Sequence, residues 1–201
     1  MQRVPMILGY HLIITTYGFW LPNDPRGSWS DFVGAWELLR FGRASKTNSR
    51  QSLASIQHDT HIRLAAKKAL KYPEVHFTGI QARTIGDGFA DFVKRNGLRI
   101  WACLILPEHA HIVVARHRYK VEQIANLLKG AATKALIEEK MHPFENNPIK
   151  KSRLPKTWAQ GQWKVFLDSK KDIFRAILYV EDNPLKEDKP RQHWSFVTNY
   201  E

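Results

Sequence analysis

The sequence predicts an α+β sandwich of ferredoxin-like type with a central antiparallel sheet, a C-terminal helix after it and an N-terminal insertion. Three observations carry that expectation. Residues 98–106 (LRIWACLIL) and 109–115 (HAHIVVA) are separated only by Pro107-Glu108, which implies a tight antiparallel hairpin. Both runs are apolar on each face, as strands in the middle of a covered sheet are. With one inserted segment set aside, strand-like and helix-like stretches alternate in the order β-α-β-β-α-β-α.

Residues 10–17 (YHLIITTY) are β-branched and apolar and open the sheet, closed by the turn-rich Leu21-Pro-Asn-Asp-Pro-Arg-Gly27. Residues 28–60 have weak periodicity and read as an inserted surface segment, ordered in part by Trp29, Phe32 and Trp36. A short helix is expected over 62–71, ended by Tyr72-Pro73, then a short strand over 75–79. A second helix is expected over 84–96 with Gly97 past its end. A third spans 121–139, with Ile124, Leu127, Leu128, Ala131 and Ala135 at helical spacing. Residues 142–157 hold three prolines and the cations Lys150, Lys151, Arg153 and Lys156, a flexible basic connector. A strand over 163–167, a helix over 169–182 and a polar tail over 185–201 complete a single domain spanning 1–201.

A chain of 201 residues suits one domain with a sizeable core, and 43% hydrophobic with 25% charged residues is ordinary globular composition. The formal net charge of +12 is not ordinary; it favours a polyanionic partner, nucleic acid above all. Seven Trp and ten Phe exceed what such a core needs, leaving some to stack on unpaired bases. Cysteine is limited to Cys103, within an apolar run, so no disulfide framework exists and a reducing, cytoplasmic setting is expected. The apolar N-terminal stretch is too short for a membrane span and lacks a small-residue cleavage site, so it reads as a first strand.

His109 and His111 alternate along a strand, so both imidazoles leave one face. Two neutral imidazoles form part of a metal shell: with oxygen donors and water they suit Mg²⁺ or Mn²⁺, with thiolates zinc. The lone Cys103 makes a cysteine-rich zinc site unattainable. The plain alternative is a pair of strand histidines that only pack and hydrogen-bond. In the helix over 169–182, Ile173, Phe174, Ile177, Leu178 and Val180 define an apolar arc, and Asp172, Ala176, Tyr179 and Asn183 form a stripe assigned to the opposite side. A phenol at that position suits nucleophilic attack on phosphate, given a metal on the ester, because its pKa of about 10 leaves it weak alone. The alternative is a surface tyrosine before an Asn-Pro turn. Asn183 lies one turn on, although Pro184 after it disfavours helical backbone there.

Three segments together resemble the HUH-type single-tyrosine transposases, in the branch of REP-associated tyrosine transposases. They are Leu106-Pro-Glu-His-Ala-His-Ile-Val-Val114, Trp158-Ala-Gln-Gly-Gln-Trp163 and Tyr179-Val-Glu-Asp-Asn-Pro-Leu-Lys186, with Tyr10-His11-Leu12 similar to the family's opening strand. The resemblance implies a ferredoxin-like domain that cuts single-stranded DNA near a hairpin. It gives His109 and His111 the metal-ligand role, Asn183 the place of a third ligand and Tyr179 the nucleophile role. The product it implies is a 5′-phosphotyrosine link beside a free 3′-hydroxyl, rejoined without ATP. Tyr10 and Tyr17 precede the histidine pair, on a strand and its exit, and rank below Tyr179.

Arg116, Arg118, Lys150, Lys151, Arg153 and Lys156 are candidates for DNA-phosphate contacts that carry no sequence information. Trp158 and Trp163 are candidates for base stacking or for plain packing. The partner expected is single-stranded or hairpin DNA, with a monomer favoured over a homodimer and no membrane. Two other classes compete. One is a non-catalytic single-strand or RNA-binding domain of ferredoxin-like fold. The other is a two-histidine phosphoesterase, which needs a second His-x-Ser/Thr motif; His58 and His61 have another spacing.

Overall fold

The computed structural model describes residues 6–47, 49, 53, 56–149 and 153–201. Its centre is a four-stranded sheet of β1 (Gly9–Thr15), β2 (Ile100–Ile105), β3 (His109–Ala115) and β4 (Trp163–Leu167), in the order β2-β3-β1-β4 with every neighbour antiparallel. The chain also forms helices α1 (Thr60–Lys68), α2 (Gly79–Asn96), α3 (Val121–Glu138) and α4 (Lys170–Asp182). This is the mixed α/β ferredoxin-like arrangement: β1-α2-β2-β3-α3-β4, with α4 added.

Strand alternation divides the sheet between two cores. Leu12 and Ile14 of β1 and Ala110, Ile112 and Val114 of β3 face Ile85, Phe89 and Phe92 of α2 and Ile124 and Leu128 of α3. Val113 and Leu104 face the other way, against Ile173, Ala176 and Val180 of α4. Gly88 lets α2 and α3 approach, since a Cβ there would stand 2.8 Å from the Ala131 carbonyl oxygen. Cys103 is buried and its thiol is pushed up by that burial.

Several expected elements differ. Residues 75–78 join no strand: Val75 N–H bonds to Tyr17 O and Phe77 N–H to Pro107 O, and both side chains are buried. Thr78 is instead the N-cap of α2, with Gln81 completing a capping box, so the helix begins at Gly79 and not at residue 84. The segment 28–60 holds a 3₁₀ helix at Trp36–Phe41, and Leu38 packs with Leu21 and Ala66. Trp29 orders it, stacked on Trp20 and against Trp163; Phe32 and Trp36 are exposed.

The basic connector is anchored at both ends, with Phe144 in the main core and Thr157 Oγ1 2.8 Å from His142 Nε2. Trp158 is a core residue against Phe77. The polar tail packs as well. Phe196 lies in the core, Val197 bridges Ile100, and the Gln192 amide both accepts from Ile105 N–H at 2.9 Å and donates to Ile105 O at 2.8 Å. No helix among the described residues is long and apolar enough to cross a membrane.

Candidate metal and nucleophile site

The odd-numbered residues of β1 and β3 share the α4 face of the sheet. Their register pairs Ile13 with His111 and Thr15 with His109, which brings His11 onto the same face. His111 sits between two other imidazoles: its Nε2 is 3.0 Å from His109 Nε2, and its Nδ1 is 3.0 Å from His11 Nε2. Phe19 stacks on the His109 ring at 5.4 Å between centroids.

Tyr179 comes from α4. The helix starts at the Ser169 cap, whose hydroxyl accepts from Asp172 N–H, and buries Ile173, Ala176 and Val180 against the sheet. That packing corrects the apolar arc read from hydrophobicity. Phe174 and Leu178 are 49% and 56% exposed, whereas Ala176, assigned to the outer stripe, is buried. About 100° per residue places Tyr179 roughly 60° from Ala176, at the margin of the packed face and not opposite it. The ring consequently lies against the histidines, 5.6 Å from His111 and 5.7 Å from His11 between centroids, and is 40% exposed. Lys186 Nζ stands 4.8 Å over the same ring. Asn183 keeps helical backbone (φ −58°, ψ −43°) although Pro184 follows it, and Pro184 opens a 3₁₀ turn in which its own missing N–H is harmless. Asn183 therefore continues the Tyr179 stripe one turn on.

Burial lowers the His11 pKa to about 4 and takes His111 well below the ordinary imidazole value, helped by the neighbouring charges of His109, His11 and Lys186. Both rings are neutral at neutral pH, the state in which imidazole nitrogen can bind a metal. Two ligands at about 2.1 Å and at right angles on one ion stand about 3.0 Å apart. The two Nε2 atoms share a hydrogen bond at 3.0 Å, and that spacing also matches this edge, so the pair is compatible with a divalent ion in place of the shared proton. Among the described residues no group of three or more His, Cys, Asp or Glu is arranged to hold a metal, so an ion on the histidine pair would need donors of other kinds, such as amide, hydroxyl, carbonyl, water or phosphate oxygen.

His11 is the site residue missed in the sequence. Its signal was the alternation of β1, which puts His11, Ile13 and Thr15 on one face, but the strand pairing that makes this face the His109–His111 face is not readable locally. The other candidates scatter. Arg116 and Arg118 are exposed beyond the far end of β3, roughly 20 Å from His109 at the rise of a strand. Arg153 and Lys156 are exposed beside α3, and Lys150 and Lys151 lie outside the described residues. Trp163 packs on Trp29, the last of a row of rings that begins Phe19, Trp20.

No known family model matches the sequence, and no curated protein matches it. Solved structures do. One is a REP-associated tyrosine transposase bound to a REP hairpin, similar with a TM-score of 0.46 and 12% identity over 93% of this chain and 73% of that one. Another is a candidate transposase from Deinococcus radiodurans R1, with a TM-score of 0.44 and 14% identity over 96% of this chain and 98% of that one.

Proposed function

We propose that the chain is a metal-dependent single-strand DNA endonuclease of transposase type, cutting next to a hairpin through a covalent link to Tyr179. The observation that supports this reading is the Tyr179 ring packed 5.6 Å from His111, whose Nε2 faces His109 Nε2 at 3.0 Å. A nucleophile stands beside a nitrogen pair of metal-binding span. In this reading His109 and His111 hold Mg²⁺ or Mn²⁺, and the Asn183 oxygen, on the Tyr179 stripe, is the third protein ligand. The bound ion supplies charge neutralisation on the phosphoryl oxygens and orientation of the ester.

With His111 Nε2 turned to the metal, its proton resides on Nδ1 and is donated to His11 Nε2. Tyr179 Oη attacks phosphorus; the Oη–P bond forms as the P–O3′ bond breaks. The phenol proton passes to solvent and the departing oxygen takes one up, leaving a 5′-phosphotyrosine and a 3′-hydroxyl. Lys186 sets a positive charge over the ring that becomes phenolate. The ester bond survives in the intermediate, so rejoining to a 3′-hydroxyl needs no ATP. Arg153 and Lys156, with Lys150, Lys151, Arg116 and Arg118, are the cations assigned to DNA phosphates.

The test is incubation with single-stranded hairpin DNA and Mg²⁺ or Mn²⁺, followed by denaturing electrophoresis and peptide mapping. A protein–DNA adduct on Tyr179 is expected, abolished in Tyr179→Phe. Cleavage that persists in Tyr179→Phe overturns the mechanism, and binding without any cleavage favours the non-catalytic class.

A further inference from the structure

A groove of about 750 Å³ runs between α3 and residues 153–161, the segment leading into β4. Lys129, Thr133 and Lys134 of α3 line one side, and Arg153, Lys156 and Gln160 the other. Its charge is unbalanced. Lys129 is 8% exposed, and its Nζ donates to the Ala159 carbonyl at 2.9 Å and to the Gly161 carbonyl, partners that carry no negative charge. Burial, and then the charge of Lys156, bring its pKa down to about 8. The acid in the lining, Glu138, pairs with Lys134 at 3.5 Å. Arg153 and Lys156 make no ion pair among the described residues. Trp158 also lines the groove, and its buried indole Nε1 has no acceptor among them.

Burying an ammonium beside like charge is unfavourable unless an anion completes the site. An ammonium has three N–H donors, and two of those of Lys129 are committed to carbonyls, which leaves one for a ligand. The groove also leads somewhere. Ala159, Gln160 and Gly161 line both it and a second cavity of about 410 Å³, whose wall includes Thr15, the register partner of His109. β4 is an edge strand, so a chain lying in the groove reaches the histidine face by rounding that edge.

We propose that this groove binds the phosphodiester backbone of the single-stranded DNA flanking the cleaved bond, with Arg153, Lys156 and Lys129 on its phosphates. The choice of DNA rests on the function proposed above.

The test uses the 201-residue chain carrying Tyr179→Phe, so that binding is read without cleavage, and a short fluorescent single-stranded oligonucleotide followed by anisotropy across a salt series. Each phosphate contact on a single strand contributes about 0.7 to the slope of log K against log salt. Arg153→Glu/Lys156→Glu is expected to make that slope shallower by about 1.4 and to weaken low-salt binding roughly tenfold or more. The charge-matched Lys94→Glu/Arg95→Glu, on the exposed side of α2, is expected to change both much less.

An unchanged slope in the groove variant, or an equal loss in the α2 variant, overturns the proposal. So does competition by inorganic phosphate at low millimolar concentration and constant ionic strength, which marks a small-anion site instead of a strand. An unchanged slope beside a normal Tyr179 adduct in the unsubstituted protein overturns the groove alone. A groove-dependent slope without any adduct overturns the catalytic reading alone.

Discussion

His11 touches His111 and Tyr179 although a hundred positions separate it from the first. Its effect follows from imidazole having two nitrogens: if His111 Nε2 binds a metal, Nδ1 must carry the proton and needs an acceptor. Neutral His11 supplies one, and burial keeps it neutral down to about pH 4. His11→Ala is therefore expected to weaken Mn²⁺ binding about 10- to 100-fold, measured by titration calorimetry or Mn²⁺ paramagnetic resonance. His11→Gln, which keeps an acceptor oxygen, should restore part of that loss. Equal affinity in all three proteins would show that the His11–His111 contact is packing alone. The same contact explains what was legible. His-x-His and Tyr179 announce themselves by spacing within one element, whereas His11 acquires its meaning only from which strand lies beside which.

Among elements, the connector between α3 and β4 shows what composition leaves out. Its prolines and cations read as flexible, yet His142 is buried, accepts from Phe144 N–H at Nδ1 and meets Thr157 Oγ1 at Nε2. A sequence window contains no term for a clasp between two positions 15 apart. Burial lowers the His142 pKa below its ordinary value. The sign follows: the unfolded chain takes up its proton first as pH falls through about 6.5, so the folded state loses stability below that value and regains it above. Urea unfolding between pH 7.5 and 5 should show a decline in stability, and His142→Asn should flatten part of it. A variant as steep as the parent would remove His142 from the cause. The α4 arc failed for a related reason. Phe174 and Leu178 are apolar but exposed, Phe174 meeting Tyr200 of the tail, and Ala176 lies on the sheet with Ile173 and Val180.

At the scale of the molecule, the succession of hairpin, helix and strand patterns points to the fold class, which is why an antiparallel sheet was legible although the neighbours of each strand were not. The tail was not, because its contacts obey no helical or strand period. The sheet order leaves β2 at an edge, with free N–H and C=O groups that invite another chain. The tail occupies that edge: the Gln192 amide imitates a strand residue on Ile105, and Thr198 N–H donates to Ile100 O at 2.8 Å. Trp194 packs on Gly86 of α2 so closely that a Cβ there would enter its indole ring, and Phe196 fills the core beside Phe89. Removal of a buried Phe or Trp alone typically destabilises by 3–5 kcal/mol. A chain ending at residue 190 should therefore lose at least about 3 kcal/mol in urea unfolding. It should also self-associate through the uncovered β2 edge, seen by light scattering. Gly86→Ala tests the docking without shortening the chain, and overpacking of this kind typically destabilises by about 1–3 kcal/mol. If the shortened chain keeps the association state and the stability of the parent, the tail is an ornament on a sheet that needs no cover. If it loses stability and self-associates, the last residues are part of the sandwich that carries Tyr179 and the histidines.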